Sequence, residues 1–389
     1  MSNFYAVIGG GLAGLLCARK LAERGESFYL IDSPINHLGR RLGGFAEFSG
    51  AKFSKLPAGG GLIPVAGSML RLTQAIEEVI KILELDRFPC VTNNDANLNS
   101  YTDLQLRGYK SYLLTPTEIN SLIQETTCQL PKESLIFRSA ISVSEDNGLW
   151  TVQLDDGSTL SAGKVIMAGG RMGAAILERA GALPQAGRGV DLGIRIEFNS
   201  QEPLRNLRAL GADAKIIYKR CRTFCLNSPG QIFHYPFSQN LLIPGGIVAH
   251  EISQASNVGI LFRSDQKERS LLKIKEAANS LPGPLKSLKY RAPNYRSVVD
   301  QKLLQTYFDS EAIEALTAFV DALNDARLID FEGGCTVYYP LIDWYWPIFG
   351  TTSTFETTKA GLYVVGDLAG HARGLLQAAV SGWLAGKQI

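Results

Sequence analysis

The stretch Tyr5-Ala-Val-Ile-Gly-Gly-Gly-Leu-Ala-Gly14, with its continuation to Asp32, constrains this chain more than any other. It reads as an apolar strand (Tyr5 to Ile8), a glycine turn, a helix from about Leu12 to Arg24 stopped by Gly25, a second strand (Ser27 to Ile31) and then an acid. Gly9, Gly11 and Gly14 occupy the G-x-G-x-x-G positions. The first allows the tight turn, the second lets backbone approach a diphosphate, and the third lets helix and strand pack closely. The diphosphate would lie on the amides of Leu12, Ala13 and Gly14, at the positive end of the helix. Asp32, with Ser33 beside it, stands 18 residues past Gly14, where a carboxylate can accept the ribose hydroxyls of an adenine dinucleotide. An ordinary strand–helix turn would leave that acid unexplained.

At 389 residues the chain can hold two or three domains and a sizeable core. Its 39 Lys and Arg against 37 Asp and Glu set up no large field, so nucleic acid is not favoured as a partner. The six cysteines (Cys17, Cys90, Cys128, Cys221, Cys225, Cys335) are scattered; only Cys221 and Cys225 are close, and no second pair completes a metal site. No metal is expected. The first strand begins too early for a secretory leader, and the apolar segment 361–385 carries Asp367, His371, Arg373 and Gln377, which disfavour a membrane span. A reduced cytoplasmic protein without a membrane partner is the expectation.

After Ser33 the chain is rich in glycine and poor in apolar periodicity as far as Gly61, which suits an extended loop passing close to a ligand. In it Arg40 and Arg41 are candidate phosphate or ribityl contacts, and Gly43 and Gly44 lie where flavoproteins run beside the cofactor. Met69 to Leu85 has helical periodicity, and residues 90–115 read as a surface excursion. Thr115, Pro116 and Glu118 form a capping box opening a helix to about Cys128. The period then changes to two. Ala140 to Ser144, Trp150 to Leu154 and Ser158 to Leu160 predict a three-stranded meander, leading to a buried strand that ends at Ala168 and Gly169.

Val190 to Phe198 opens a second region. Its predicted strands are Ala214 to Tyr218, Thr223 to Leu226, Gln231 to Tyr235 and Gly259 to Phe262; its predicted helices are Gln266 to Ser280 and Ser310 to Leu323. Tyr290 to Arg296 reads as a loop rich in aromatic and basic residues. The chain then returns through Gly333 to Pro340 and reaches a strand, Leu362 to Val365. Gly366-Asp367 follows, then a helix opened by Gly374, Leu375 and Leu376. An acid at that strand end can hold ribityl hydroxyls, and the helix start can face a flavin edge where negative charge develops on reduction.

Fingerprint, late meander and C-terminal Gly-Asp come in the order of glutathione-reductase-type FAD domains. The expected fold is α/β: a Rossmann-like FAD-binding domain (1–190 plus 333–389, meander about 136–163) with an inserted α+β substrate domain (191–332) on a mixed sheet.

Five stretches resemble the bacterial FAD-dependent, or NAD-utilising, dehydrogenases described as uncharacterised. They are Gly43 to Phe53, Val165 to Gly173, Val190 to Glu197, Arg222 to Gly230 and Gly361 to Gly370, in the same order over most of the chain. The resemblance implies FAD and interleaved cofactor and substrate domains, and it implies no substrate. Family members typically carry a second cysteine where this chain has Asn227.

The flavin would do the redox work while the protein supplies position and electrostatics. With one dinucleotide fingerprint, NAD(P)H would bind only transiently, in the substrate cleft. Tyr338, Tyr339, Asp343, Trp344 and Trp346 are placed to form an aromatic wall with one carboxylate, or simply to pack a domain interface. His371 is a candidate to stabilise a reduced anion or shuttle a proton, or to cap; Cys225 is a candidate thiol, or packing. Lys215, Lys219, Arg220 and Arg222 could bind an anionic small-molecule substrate or form a solvated face. The leading expectation is an FAD-dependent oxidoreductase moving a hydride between a small organic substrate and the flavin. The alternatives are an amine-oxidase-like oxidase suggested by Leu42-Gly-Gly44, a flavin-dependent nucleic-acid modifier using basic runs near 215–222 and 286–296, and a non-enzymatic flavin-binding module.

Overall fold

A computed structural model describes residues 4–34, 42–46, 50–91, 103–108, 110–185, 189–249 and 253–389. Two sheets organise it. The first is five-stranded and parallel, in the order Leu362–Val364, Lys164–Met167, Phe4–Ile8, Ser27–Asp32, Leu135–Phe137. Strands from both ends of the chain therefore lie in one layer, with Lys164–Met167 between the N-terminal and C-terminal contributions. Helices Leu12–Glu23, Met69–Ile82 and Leu375–Gln388 share its core. On the other face lies the meander Ala140–Asp146, Leu149–Leu154, Thr159–Ala162, whose Trp150 and Val152 are fully buried.

Helix Leu375–Gln388 lies directly on helix Leu12–Glu23, and small residues make this possible. A methyl group on Gly382 would come within 1.8 Å of the Ala13 carbonyl oxygen, and one on Gly386 within 2.9 Å of that of Cys17. The Arg24 guanidinium donates to the Gly386 carbonyl at 2.7 Å and fixes the far end of the pair. Helix Pro116–Cys128 begins with the expected capping box: Glu118 N–H donates to Thr115 Oγ1, and Thr115 N–H to Glu118 Oε2.

The second sheet has nine strands and is mixed. Its order is Gly230–Pro236, Leu241–Val248, Lys286–Ala292, Cys335–Asp343, Val190–Phe198, Ser256–Ser264, Cys221–Asn227, Lys215–Tyr218, Gln105–Arg107. Leu241–Val248 beside Lys286–Ala292 is parallel and every other pairing is antiparallel. Helices Lys267–Asn279 and Ser310–Asp325 contribute buried residues to its core.

Three expectations change here. Strand Cys335–Asp343, read with the C-terminal cofactor segment, pairs instead with Val190–Phe198 and Lys286–Ala292. It is buried at eight of nine positions, as a central strand with both faces covered must be. The surface excursion at 90–115 contributes Gln105–Arg107 to the edge of the mixed sheet. The aromatic and basic loop from Tyr290 is, up to Ala292, the end of a strand.

Candidate functional site

At the first turn the backbone closes on itself. Gly9 has φ +111°, and a side chain there would strike the Ala168 carbonyl carbon at 2.5 Å. A Cβ on Gly14 would lie 1.8 Å from the Gly9 oxygen. Gly11 is different: a Cβ there meets nothing within 4 Å, so the middle glycine borders open space. The helix behind it starts without a side-chain cap and without an acid in its first turn. The first helical bond is Leu15 N–H to Gly11 O, so the earlier amides of Leu12, Ala13 and Gly14 have no partner within the helix. Gly43 N–H donates to the Gly10 carbonyl at 2.9 Å, and Gly44 closes to within a Cβ contact of the Gly11 Cα. Arg40 and Arg41 lie outside the described residues.

Asp32 faces this turn. Its Oδ1 accepts the Ser33 N–H at 3.0 Å, and a Cβ on Gly10 would stand 2.7 Å from its Oδ2. Burial raises its pKa to about 6, against the lowering effect of the Ser33 and Gly10 amides. From the other end of the chain, Gly366 packs on Ala13 and donates its N–H to Ser381 Oγ at 2.9 Å. Gly374 opens the last helix, with Leu375 and Leu376 buried behind it. Gln377 Nε2 in that helix donates to the carbonyls of Ser54 and Ala58, fastening the glycine-rich loop to the helix start. Free amides, a Cβ-free floor and a carboxylate beyond them are a donor and acceptor set that fits a diphosphate-linked dinucleotide.

Between the two sheets lies a string of ion pairs. Asp191, fully buried, takes Arg222 and Arg263. Asp343, at the end of Cys335–Asp343, holds Arg373 through both oxygens, at 2.8 and 3.0 Å, and has Arg222 at 3.4 Å. Arg373 Nε lies 3.5 Å from Asp367. Burial opposes ionisation of Asp343, but Arg373, Arg222 and Arg171 outweigh it and hold the carboxyl well below the usual carboxylate range. For Asp367, burial prevails over Arg373 and Arg171 and the pKa is raised.

Beside this string is an aromatic enclosure around Arg171. Its guanidinium carbon stands 4.8 Å from the Trp346 ring, 5.0 Å from Tyr235, 5.7 Å from Phe45 and 6.0 Å from Tyr345. Arg373 covers Trp344 at 4.3 Å, and Trp344 stacks on Trp346. Burial works against the Arg171 charge, yet Tyr235, Tyr345, Asp367 and Asp343 together raise its pKa. Among the described residues, Arg171 Nη1 and Trp346 Nε1 are buried without a hydrogen-bond partner.

The other sequence candidates fall in different places. Asp343 reaches the site, but as a fully paired carboxylate. Trp344 and Trp346 form the expected wall; Tyr339 does not. Strand alternation turns Tyr339 into the second core against Tyr290 and Tyr307, while Tyr338 points the other way and donates to Glu197 Oε2. Cys225 sits at φ +44° in a strand irregularity, and its carbonyl accepts from Arg195 and Asn227. His371 lines a separate cleft of about 260 Å³ with Gly61, Gln185, Thr352 and Ser353. Burial pushes its pKa down to about 4, and Nε2 has no partner among the described residues. Burial thus opposes the cationic form that stabilising a reduced anion would need. Of the basic run, Arg220 pairs with Asp265 and Glu311 at the surface, and Arg222 is taken up by Asp191 and Asp343.

Reading the sequence missed Arg171, Arg373, Asp191, Tyr235 and Tyr345 as site residues. Arg171 directly follows the Gly169-Gly170 strand end, and Arg373 lies two residues past His371, so proximity to motif ends was the available signal.

No family profile matches the chain, and no curated protein matches it. Solved structures do. The crystal structure of tetracycline destructase Tet(51) is 12% identical with a TM-score of 0.42, over 98% of this chain and 80% of that one. For 2,6-dihydroxypyridine-3-hydroxylase from Arthrobacter nicotinovorans the values are 13%, 0.43, 95% and 78%. For a salicylate hydroxylase substrate complex they are 14%, 0.42, 94% and 73%. Among the described residues, no helix is long and apolar enough to cross a membrane.

Proposed function

We propose that the chain is an FAD-dependent oxidoreductase that moves a hydride between a small organic substrate and the flavin. The observation that carries this reading is convergence: the Gly9–Gly14 turn, the Gly43-Gly44 loop and the Gly366–Leu375 segment meet from distant parts of the sequence on one amide-rich, Cβ-free cradle. The spacing of these parts, with the meander between them, supports a glutathione-reductase-type cofactor domain, and the five family-like stretches support a dehydrogenase. When bound, the flavin supplies a two-electron redox centre. Leu12, Ala13 and Gly14 would hold the diphosphate, Asp32 the adenosine ribose and Asp367 the ribityl chain.

The protein's own contribution lies around that cradle. The ion-pair string from Arg263 to Asp367 fixes the mixed sheet against the cofactor segment, and the aromatic residues near Arg171 exclude water from the gap. His371, held neutral by burial, can take part in a hydrogen bond at Nε2 with a group entering its cleft, but burial opposes its taking up a proton there. The substrate region is built on the mixed sheet, including Cys335–Asp343.

The test is anaerobic mixing of the purified protein with NADH and with NADPH. Bleaching of the flavin absorption by at least one is expected. Bleaching by neither, with reduction by an amine and peroxide release in air, would replace the dehydrogenase with an amine-oxidase-like oxidase. A folded chain that neither retains nor takes up FAD would overturn the whole reading.

A further inference from the structure

The charges around the interface do not balance. Among the described residues, four guanidiniums (Arg171, Arg222, Arg263, Arg373) face three carboxylates (Asp191, Asp343, Asp367). The three arginines of the string each have a carboxylate within ion-pair distance. Among the described residues Arg171 has none; it is attracted to Asp367 and Asp343 only at longer range. Its immediate surroundings are rings, and although the Tyr235 hydroxyl takes a hydrogen bond from the guanidinium, a ring face attracts a cation without satisfying its remaining N–H groups. Among the described residues Arg171 Nη1 has no acceptor, and Trp346 Nε1 on the adjoining wall is a second buried donor without one. Two donors and a surplus positive charge call for an acceptor that is negative and has no hydrogens of its own to place. The walls of Phe45, Tyr235, Tyr345 and Trp346 suit a flat apolar body attached to it.

We propose that this enclosure is the substrate-recognition site, and that its ligand is an aromatic or similarly flat carboxylic acid whose carboxylate is taken by Arg171, with the Trp346 indole N–H as second donor. The proposal rests on the oxidoreductase reading for the meaning of the site, but not for its detection. It also relocates anion recognition: Arg220 and Arg222 of the basic run are already held in ion pairs, while Arg171 lies at the junction of the glycine loop, strand Gly230–Pro236 and the Tyr345-Trp346 segment.

Benzoate and benzamide, equal in shape and different in charge, are the probes. Binding to the full-length protein is followed by the change in intrinsic tryptophan fluorescence, to which Trp344 and Trp346 contribute along with Trp150 and Trp383 and which needs no flavin, with flavin content per chain measured by absorbance in parallel. Saturable benzoate binding at least tenfold tighter than benzamide is expected. Arg171→Met should abolish that preference at unchanged flavin content. Trp346→Phe should weaken benzoate several-fold while leaving the charge in place, and Arg171→Lys provides a charged control should the Met variant fail to fold.

Equal binding of the two probes, or benzoate binding by Arg171→Met as tight as in the parent, overturns the proposal. Flavin loss on Arg171→Met overturns it too, by assigning the arginine to the cofactor's own phosphates. A protein that discriminates the probes but takes up no flavin refutes the oxidoreductase reading alone; one that holds flavin and ignores the carboxylate refutes this proposal alone.

Discussion

Asp32 and Asp343 are both carboxylates withdrawn from water, and their neighbours push them in opposite directions. At Asp32, two backbone amides do not offset burial, and the pKa rises to about 6. At Asp343, three guanidiniums more than offset it. Ribose hydroxyls would give Asp32 the donors it lacks, so cofactor binding favours its ionised form. FAD affinity should therefore rise with pH through about 6, and Asp32→Asn should flatten that dependence as well as weaken binding. Flavin titrations between pH 5 and 8 check this, and a parallel pH profile for parent and variant would contradict it. In the cofactor-free chain the sign is reversed. A raised folded pKa favours the folded state below the ordinary carboxylate value, ~3.9, and that contribution is lost as the pH rises through about 6.

At the scale of elements, local signals were legible and non-local ones were not. The Thr115–Glu118 box and the Asn147-Gly148 turn carry their instructions within a few residues, and both formed as expected. Strand Leu241–Val248 contains Pro244, Gly245 and Gly246, which hide its β character; the reason for those residues lies elsewhere, since a Cβ on Gly246 would stand 2.3 Å from Arg195 Nη1. Arg171 is of the same kind, because its partners come from positions 45, 235 and 345–346. The contact between helices Leu12–Glu23 and Leu375–Gln388 gives a direct test. Gly382→Ala forces a methyl group against the Ala13 carbonyl and should cost about 1–3 kcal/mol as overpacking. Thermal unfolding followed by circular dichroism would register this as a lower midpoint; an unchanged midpoint would mean that the helices do not meet as described.

At the scale of the molecule, Asp343 joins the mixed sheet to the segment that follows Gly366-Asp367. Removing it leaves Arg373 and Arg222 facing each other without their shared carboxylate. Because Arg222 keeps Asp191 and Arg373 keeps Asp367, Asp343→Ala should destabilise the fold by less than the ~3–5 kcal/mol that stranding a fully buried charge costs. The parent's own contribution from this group, with its depressed pKa, is complete above the ordinary carboxylate value and lost as the pH falls below it. Urea unfolding of parent and variant at pH 7 and pH 3 should show the gap between them narrowing on acidification; a gap of constant size would remove Asp343 from the account. The sequence led to an expectation of two interleaved regions and to Asp343 as a candidate residue. It could not show that Cys335–Asp343 belongs to the mixed sheet, because a continuous apolar run suits a central strand of either sheet equally well.

The cradle contributed by both ends of the sequence also has a history in time. Helix Leu375–Gln388 is made 363 residues after helix Leu12–Glu23 begins, an interval of roughly 20–70 s at ordinary rates of synthesis. Throughout it the face of the first helix around Ala13 and Cys17 is without its cover, and the Gly9–Gly14 turn is without the Gly366 segment. Cofactor capture is thereby deferred until almost the whole chain has emerged, so the finished grip on the dinucleotide reports that everything between the two helices has already been made.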